Sequence, residues 1–356
     1  VSAQGLAIFD DPLLDEHRSR EPHPERPERL AAARRAAQSV TRRSPHVNVP
    51  LRPATDDELA RVHTPRYIEA LGRAAGSFGR WDEDTYSVPK SVDAAKSAAG
   101  GAVGLVDALV DRRALRGVGL LRPPGHHARP DGAMGFCFLN NVAIAAAHAL
   151  ARGVPRVLVL DFDVHHGNGT QEMFYARPEV LFVSLHQFPF YPGTGSVTET
   201  GSGDGAGYTL NVPLGPGADD STYAAAMERI VLPVASEFSP ELVLLSAGFD
   251  AHKDDPLAQM RLTAEGYRTM MTELVRALPG DTPIGALLEG GYDLGALESS
   301  LAAALEALVG LAPEREFTAP GGATKSTTKT PTSVSERHSL ELDRARRAAA
   351  EFWRLG

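Results

Sequence analysis

Hydrophobic positions along the chain fall into two alternating textures. Short apolar runs without in/out alternation lie at Leu6–Phe9, Gly117–Leu121, Val157–Leu160, Val180–Leu185, Tyr208–Val212, Leu242–Ser246 and Ile284–Leu288, bounded by Gly, Pro or Asp. Such runs read as strands buried on both faces. Between them, longer Ala-rich stretches place apolar residues at helical spacing: Glu28–Ala37, Val92–Val110, Asn141–Ala151, Thr222–Ser236, Thr263–Ala277 and Leu294–Val309. Strands separated by helices predict an α/β fold of three layers, α/β/α, around a mostly parallel central sheet. In such folds ligands gather at the carboxyl ends of the strands, so the active site is expected there.

Toward the C-terminus the texture changes. Thr318–Ser335 is rich in Thr, Ser, Pro, Gly and Lys without apolar anchors, which predicts a linker or strap over 318–335. Ser333 with Glu336 matches a capping box, and Ala345, Ala349, Phe352 and Trp353 supply an apolar stripe. A terminal helix over 336–356 is therefore expected, packed on a main domain spanning 1–317. Together with the loop around 73–87 it is also the candidate for joining copies of the chain into a homo-oligomer.

Composition narrows the function. The 356 residues suit one large α/β domain as well as two or three of roughly 150. With 43% hydrophobic and 23% charged residues, a sizeable core is available. There are 45 Asp and Glu against 36 Lys and Arg, a net charge of −9, which gives no bulk attraction to nucleic acid. The single Cys137 excludes an internal disulfide and multi-cysteine metal sites. No apolar run approaches the ~20 residues of a membrane span, and the first residues lack the pattern of a secretion signal, so a cytoplasmic protein is expected. Twelve histidines need an explanation.

Part of it lies in Asp161-Phe-Asp-Val-His165. On an extended chain Asp161, Asp163 and His165 face one side. Asp250, following another strand, can bring a further carboxylate. Asp163, His165 and Asp250 make a three-ligand N/O set with an open position, the pattern of a catalytic divalent site. Zinc is the first expectation, and Fe2+ or Co2+ would fit. Taken singly, each Asp is better explained by a cap or ion pair. Arg122-Pro-Pro-Gly-His126-His127 places two imidazoles rigidly at a strand end, where acid/base catalysis is expected of them. Tyr292, behind two glycines, can donate its hydroxyl to a carbonyl turning into an oxyanion. Together these parts describe hydrolysis of an amide or ester by metal-activated water. His186 and His252 lie near the site, while Cys137 is expected to be a buried structural thiol.

The sequence resembles the histone deacetylase and acetylpolyamine amidohydrolase family, of arginase-like fold, over roughly Leu6–Val309. The likeness rests on His23-Pro-Glu-Arg-Pro-Glu-Arg29, Arg122-Pro-Pro-Gly-His-His-Ala128, Gly135-Phe-Cys-Phe-Leu-Asn-Asn141 and Asp161-Phe-Asp-Val-His-His-Gly-Asn-Gly-Thr-Gln171. Tyr191-Pro-Gly-Thr-Gly195, Ser246-Ala-Gly-Phe-Asp250 and Leu288-Glu-Gly-Gly-Tyr292 complete it. The resemblance implies that Asp163, His165 and Asp250 bind zinc, and that His126 and His127 act as acid and base. Tyr292 would polarise the carbonyl. Asp161 would orient His126 and, with Ser184, hold a structural potassium ion; Asn168 would sit behind His127, an amide that looks like the class II group. Gly135, Phe136 and Tyr191 would line an acyl-lysine tunnel with Asp84 and Leu257 at its rim, the apolar Leu257 leaning towards acyl-lysine over a polyamine. Arg26 is expected in an acetate channel or in a surface ion pair. The implied substrates are an acyl-lysine protein or peptide, or an acetylated polyamine. An arginase-like dinuclear site is disfavoured by incomplete ligands for a second metal, and a silent acyl-lysine-binding module by the presence of Tyr292 and every ligand.

Overall fold

The computed structural model describes residues 5–313 and 333–355. Its strands are β1 (Leu6–Phe9), β2 (His46–Asn48), β3 (Gly79–Arg80), β4 (Tyr86–Ser87), β5 (Arg116–Gly119), β6 (Val157–Asp161), β7 (Val180–Gln187), β8 (Thr209–Leu214), β9 (Leu242–Ala247) and β10 (Ile284–Leu288). The helices are α1 (Glu28–Thr41), α2 (Asp56–Leu59), α3 (Pro65–Ala74), α4 (Ser91–Val110), α5 (Asn141–Ala151), α6 (Asn168–Phe174), α7 (Asp220–Ala226), α8 (Leu232–Phe238), α9 (Ala264–Ala277), α10 (Leu294–Val309) and α11 (Glu336–Ala350).

Eight strands form one sheet in the order β2-β1-β5-β10-β9-β6-β7-β8, and every pairing is parallel. The central strands are buried at every position, the pattern that apolar runs without alternation require. Helices α4 and α5 pack together on the sheet, while α1, α10, α9 and α7 pack in series, giving the three-layer α/β/α architecture. Close approach has a local cost. A Cβ on Gly101 of α4 would lie 2.3 Å from the Phe9 ring of β1. Glycine inside a helix costs roughly 0.5–1 kcal/mol against alanine, which this contact offsets.

Two expectations change. The stretch 222–236 is not one helix: a π turn, Met227–Val231, separates α7 from α8. Pro233 lacks the N–H that would continue the ladder, so the chain widens for a turn. The terminal helix is capped by Ser335, whose hydroxyl accepts from His338 N, not by Ser333. Short elements, among them α3 and the β3–β4 hairpin, carry too few apolar repeats to stand out from the sequence. The expected strap over 318–335 lies outside the described residues except for 333–335.

Helix α11 lies along β8 at the end of the sheet, burying Leu342, Ala345 and Ala349. Glu341 accepts from Gly215 N at 2.8 Å, and Trp353 Nε1 donates to Gly207 O at 2.8 Å. An end strand is a template for unwanted pairing, and the helix shields this one. Among the described residues no helix is long and apolar enough to cross a membrane. Because Leu342 is fully buried, Leu342→Ala is expected to destabilise the helix docking by about 2–5 kcal/mol, read as faster proteolysis near α11 and a lower denaturant midpoint.

Candidate metal centre and active site

Parallel pairing puts all the strand ends on one edge, and the residues beyond β5, β6, β9 and β10 meet there. Asp163 and His165 follow β6, and Asp250 follows β9; their ligand atoms lie within 4.8 Å of one another. His165 Nδ1 is 3.1 Å from both Asp163 Oδ1 and Asp250 Oδ2. The remaining oxygens are fixed by backbone: Gly290 N donates to Asp163 Oδ2 at 2.8 Å, and Val164 N to Asp250 Oδ1 at 2.9 Å. Glycines make the room. A Cβ on Gly290 would lie 2.2 Å from Asp250 Oδ2, and one on Gly248 would lie 2.1 Å from Asp163 Oδ2.

Two fully buried carboxylates at one point demand a counter-charge. Burial and then neighbouring Asp163 push Asp250 up to about 7. Burial alone would lower His165, but its hydrogen bonds to the two carboxylates hold it up at about 10. The three groups thus fit a divalent cation, which would replace the proton shared between them. Their chemistry, two hard oxygens and one imidazole, suits zinc, and equally iron(II) or cobalt(II).

The two histidines differ in their second nitrogen. His126 Nδ1 donates to Asp161 Oδ2 at 3.0 Å, and its Nε2 is 3.8 Å from Asp163 Oδ1. Burial opposes its charge, but Asp163 and Asp161 prevail and raise it to about 10. His127 Nδ1 donates to the Asn168 Oδ1 amide oxygen at 2.8 Å. Burial, then the positive charges of His126 and His165, push it well below the usual imidazole range. Their surroundings thus push the two imidazoles in opposite directions, although their ring centroids are only 4.0 Å apart.

A cavity of about 340 Å3 opens onto this centre, lined by Gly135, Phe136, His127, His165, Tyr191, Tyr292, Asp84 and Leu257. The five expected tunnel residues therefore share one wall system. Phe190, which the sequence did not single out, completes it, its ring stacked on His165 with centroids 5.4 Å apart. Gly135 and Phe136 both have positive φ, 56° and 70°, between the bridged residues Met134 and Cys137. That is the turn of a tight hairpin, and for Phe136 the conformation costs roughly 1–2 kcal/mol. Asp82 accepts from Gly135 N and Thr85 from Phe136 N, both at 3.0 Å, which holds the ring in place. Cys137 is buried, and burial raises its thiol well above its normal range, as befits a structural residue.

The sequence hid a buried charge network beneath Tyr292. Glu25 pairs with Arg122 and Arg29, all three fully buried. Arg29 donates to the carbonyls of Glu289 and Gly291, and Glu289 accepts from Gly125 N at 2.6 Å and His126 N at 3.2 Å. This locks the two glycine-rich turns together. Arg26 is exposed, so the guanidinium that reaches the site is Arg29; the i, i+4 pair Glu25 and Arg29 was its sequence signal. Tyr292 N donates to Asp255 at 2.6 Å, and the Tyr292 ring lies 5.1 Å from the Arg29 guanidinium. Burial keeps its hydroxyl protonated, raised well above its ordinary value. Ser184 pairs in register with Asp161; its hydroxyl is 2.9 Å from His186 Nδ1, whose Nε2 donates to Gly195 O. Ser184 is thereby the donor to His186 and keeps its lone pairs free. His252 stands apart, beside Asp254.

Comparison with known proteins shows the family. The histone deacetylase domain model matches residues 23–308, and the chain belongs to the histone deacetylase family. It is 43% identical over 305 residues to histone deacetylase 15 of Arabidopsis thaliana, covering 83% of this chain but only 54% of that protein. A probable deacetylase of Archaeoglobus fulgidus is 40% identical, with 85% and 86% covered. A histone deacetylase-like amidohydrolase of Pseudomonas aeruginosa is 46% identical over 250 residues, with 67% and 64% covered. The crystal structure of the HDA15 HD domain superposes with a TM-score of 0.89 at 36% identity, covering 99% of this chain and 96% of that one.

Because a Cβ at 290 would meet both metal-facing carboxylates, Gly290→Ala is expected to keep its fold yet bind zinc at least tenfold more weakly, measured by competition with a chromogenic chelator.

Proposed function

We propose that the protein is a zinc-dependent deacetylase that removes acetyl, or another short acyl group, from the ε-amine of lysine. The observation that carries this reading is the convergence of Asp163 and Asp250 on His165, which lines a cavity walled by Phe136 and Tyr191 and bordered by His127 and Tyr292. Asp163, His165 and Asp250 would hold the ion, which when bound acts as a Lewis acid and brings the pKa of water down to about 7.

The chain's own residues account for the rest. Phe136 and Tyr191 would flank the aliphatic stem of the acyl-lysine, excluding water around it. The Tyr292 hydroxyl donates to the substrate carbonyl as its oxygen gains negative charge. His127, neutral and with Nδ1–H anchored on Asn168, accepts a proton from the attacking water at Nε2 and returns it to the departing amine. His126 keeps its proton against Asp161 and adds positive charge beside the reacting carbonyl. The oxygens of Asp161 and Ser184 would hold a structural potassium ion. Asp84, exposed at the mouth, would accept backbone N–H groups of a bound peptide.

Lysine is favoured over a polyamine because Leu257 at the mouth offers no charge for a remote ammonium. The test compares purified, zinc-loaded enzyme on an acetyl-lysine peptide and on acetylputrescine, with Asp163→Ala as the blank. Faster turnover of the peptide is expected. Preference for acetylputrescine would make the protein a polyamine deacetylase, and binding without turnover of any acyl-lysine would make it a reader.

A second expectation follows from Asn168. In Asn168→Asp a carboxylate would face His127 Nδ1 and raise its pKa. A base must be neutral to act, so the acid-side loss of kcat/KM is expected to set in at higher pH than in the parent enzyme. An unmoved acid limb would remove His127 from the role of base.

A further inference from the structure

We propose that Met134 is an oxidation site through which peroxide lowers catalysis, acting on His127 by way of Asn168; this rests on the reading of His127 as the proton-transfer group. The geometry that points to it is a relay of three side chains. His127 Nδ1–H donates to Asn168 Oδ1 at 2.8 Å, and Asn168 Nδ2 donates to the Met134 thioether sulfur at 3.3 Å. A thioether is a weak acceptor, yet it is the group that receives the amide N–H on this side. It thereby helps decide which way the amide points, with oxygen towards the histidine.

Met134 is reached from outside the substrate tunnel. Met134 and Asn168 line a separate surface cleft of about 560 Å3, bordered by Arg129, Glu172 and Pro192. Of the six methionines, Met227, Met260, Met270 and Met271 are at most 3% exposed. Met173 is half-buried and packs against the core. Met134 alone among these combines partial exposure with a contact to a partner of the catalytic histidines. The one thiol that could compete for peroxide, Cys137, is buried and protonated.

The chemistry is a two-electron oxygen transfer. A sulfur lone pair attacks one oxygen of hydrogen peroxide and the O–O bond breaks. That oxygen remains on sulfur as the sulfoxide, while its proton leaves with the departing hydroxide as water. Sulfur is oxidised and peroxide reduced. Attack from the cleft leaves the new oxygen facing the cleft and a partly positive sulfur facing the Asn168 N–H. The amide loses its acceptor and the bias on its orientation. Turned over, it would present N–H to the N–H of His127, so the imidazole would lose the group that fixes its tautomer.

The test uses full-length, zinc-loaded protein treated with hydrogen peroxide. Peptide mass spectrometry should find one added oxygen on Met134 ahead of Met173. The kcat on acetyl-lysine peptide should fall about tenfold with little change in KM, since the tunnel walls are untouched. Methionine sulfoxide reductase should restore it. Met134→Leu should keep its own starting rate through the treatment, whereas Met173→Leu should be inactivated like the parent. Nitrogen-15 NMR of the histidine rings gives a readout that needs no turnover: the His127 Nδ1 signal should shift on oxidation. Full oxidation of Met134 with kcat and the His127 signal unchanged would overturn the proposal, as would inactivation of Met134→Leu. Absence of turnover before peroxide would count against the deacetylase reading, leaving the NMR shift to decide this one.

Discussion

The structure depends on burying negative charge at one edge of a parallel sheet. Asp161, Asp163, Asp250 and Glu289 are all fully or nearly fully buried there, within a shell of only a few residues. Carboxylates so placed are tolerable only with matched donors and positive charge. The fold supplies these in layers: backbone N–H groups from glycine-rich turns, the imidazoles of His126 and His165, and the guanidinium of Arg29 against the carbonyls of Glu289 and Gly291. A divalent cation would complete the compensation. The glycines at 248 and 290 are fitted closely to these carboxylates, leaving no room for a Cβ.

Asymmetry between the two histidines arises from the same edge. They are neighbours in sequence, leave the same turn and are equally buried, yet one leans on a carboxylate and the other on an amide. Asp163 and Asp161 push His126 towards its charged form, while burial and the neighbouring imidazoles push His127 towards its neutral one. Asn168 opens helix α6, and Gly169 beside it lets the helix start pass within contact of the histidine loop, its Cβ position only 2.1 Å from Ala128 O. A helix start thus supplies the hydrogen-bond partner of His127.

Much of this was legible in the sequence. Buried strands announced themselves as apolar runs, and long helices by their spacing; the candidate ligands stood just beyond strand ends, although the chain bends from Asp163 to His165 instead of staying extended as the alternation of Asp161, Asp163 and His165 suggested. What stayed hidden has physical reasons. Glu25, Arg29 and Arg122 are charged residues in the core, which no hydropathy pattern marks as buried, and their partners are far apart in the chain. Phe190 reaches the cavity only through the path of its loop. The break at Met227–Val231 reflects one proline whose effect is on hydrogen bonding rather than on polarity. Ser335 caps the last helix because the chain enters it two residues later than the Ser333–Glu336 spacing suggested.

The hairpin turn that carries Phe136 has one more implication. Its two central amides are gripped by Asp82 and Thr85, from the same outer loop that brings Asp84 to the cavity mouth. Width of the tunnel and chemistry of its entrance are therefore mechanically one part. A lineage, or an engineer, altering that loop would at the same time tilt the aromatic wall deep inside. Selectivity at the mouth of the cavity and selectivity at its depth are inherited together.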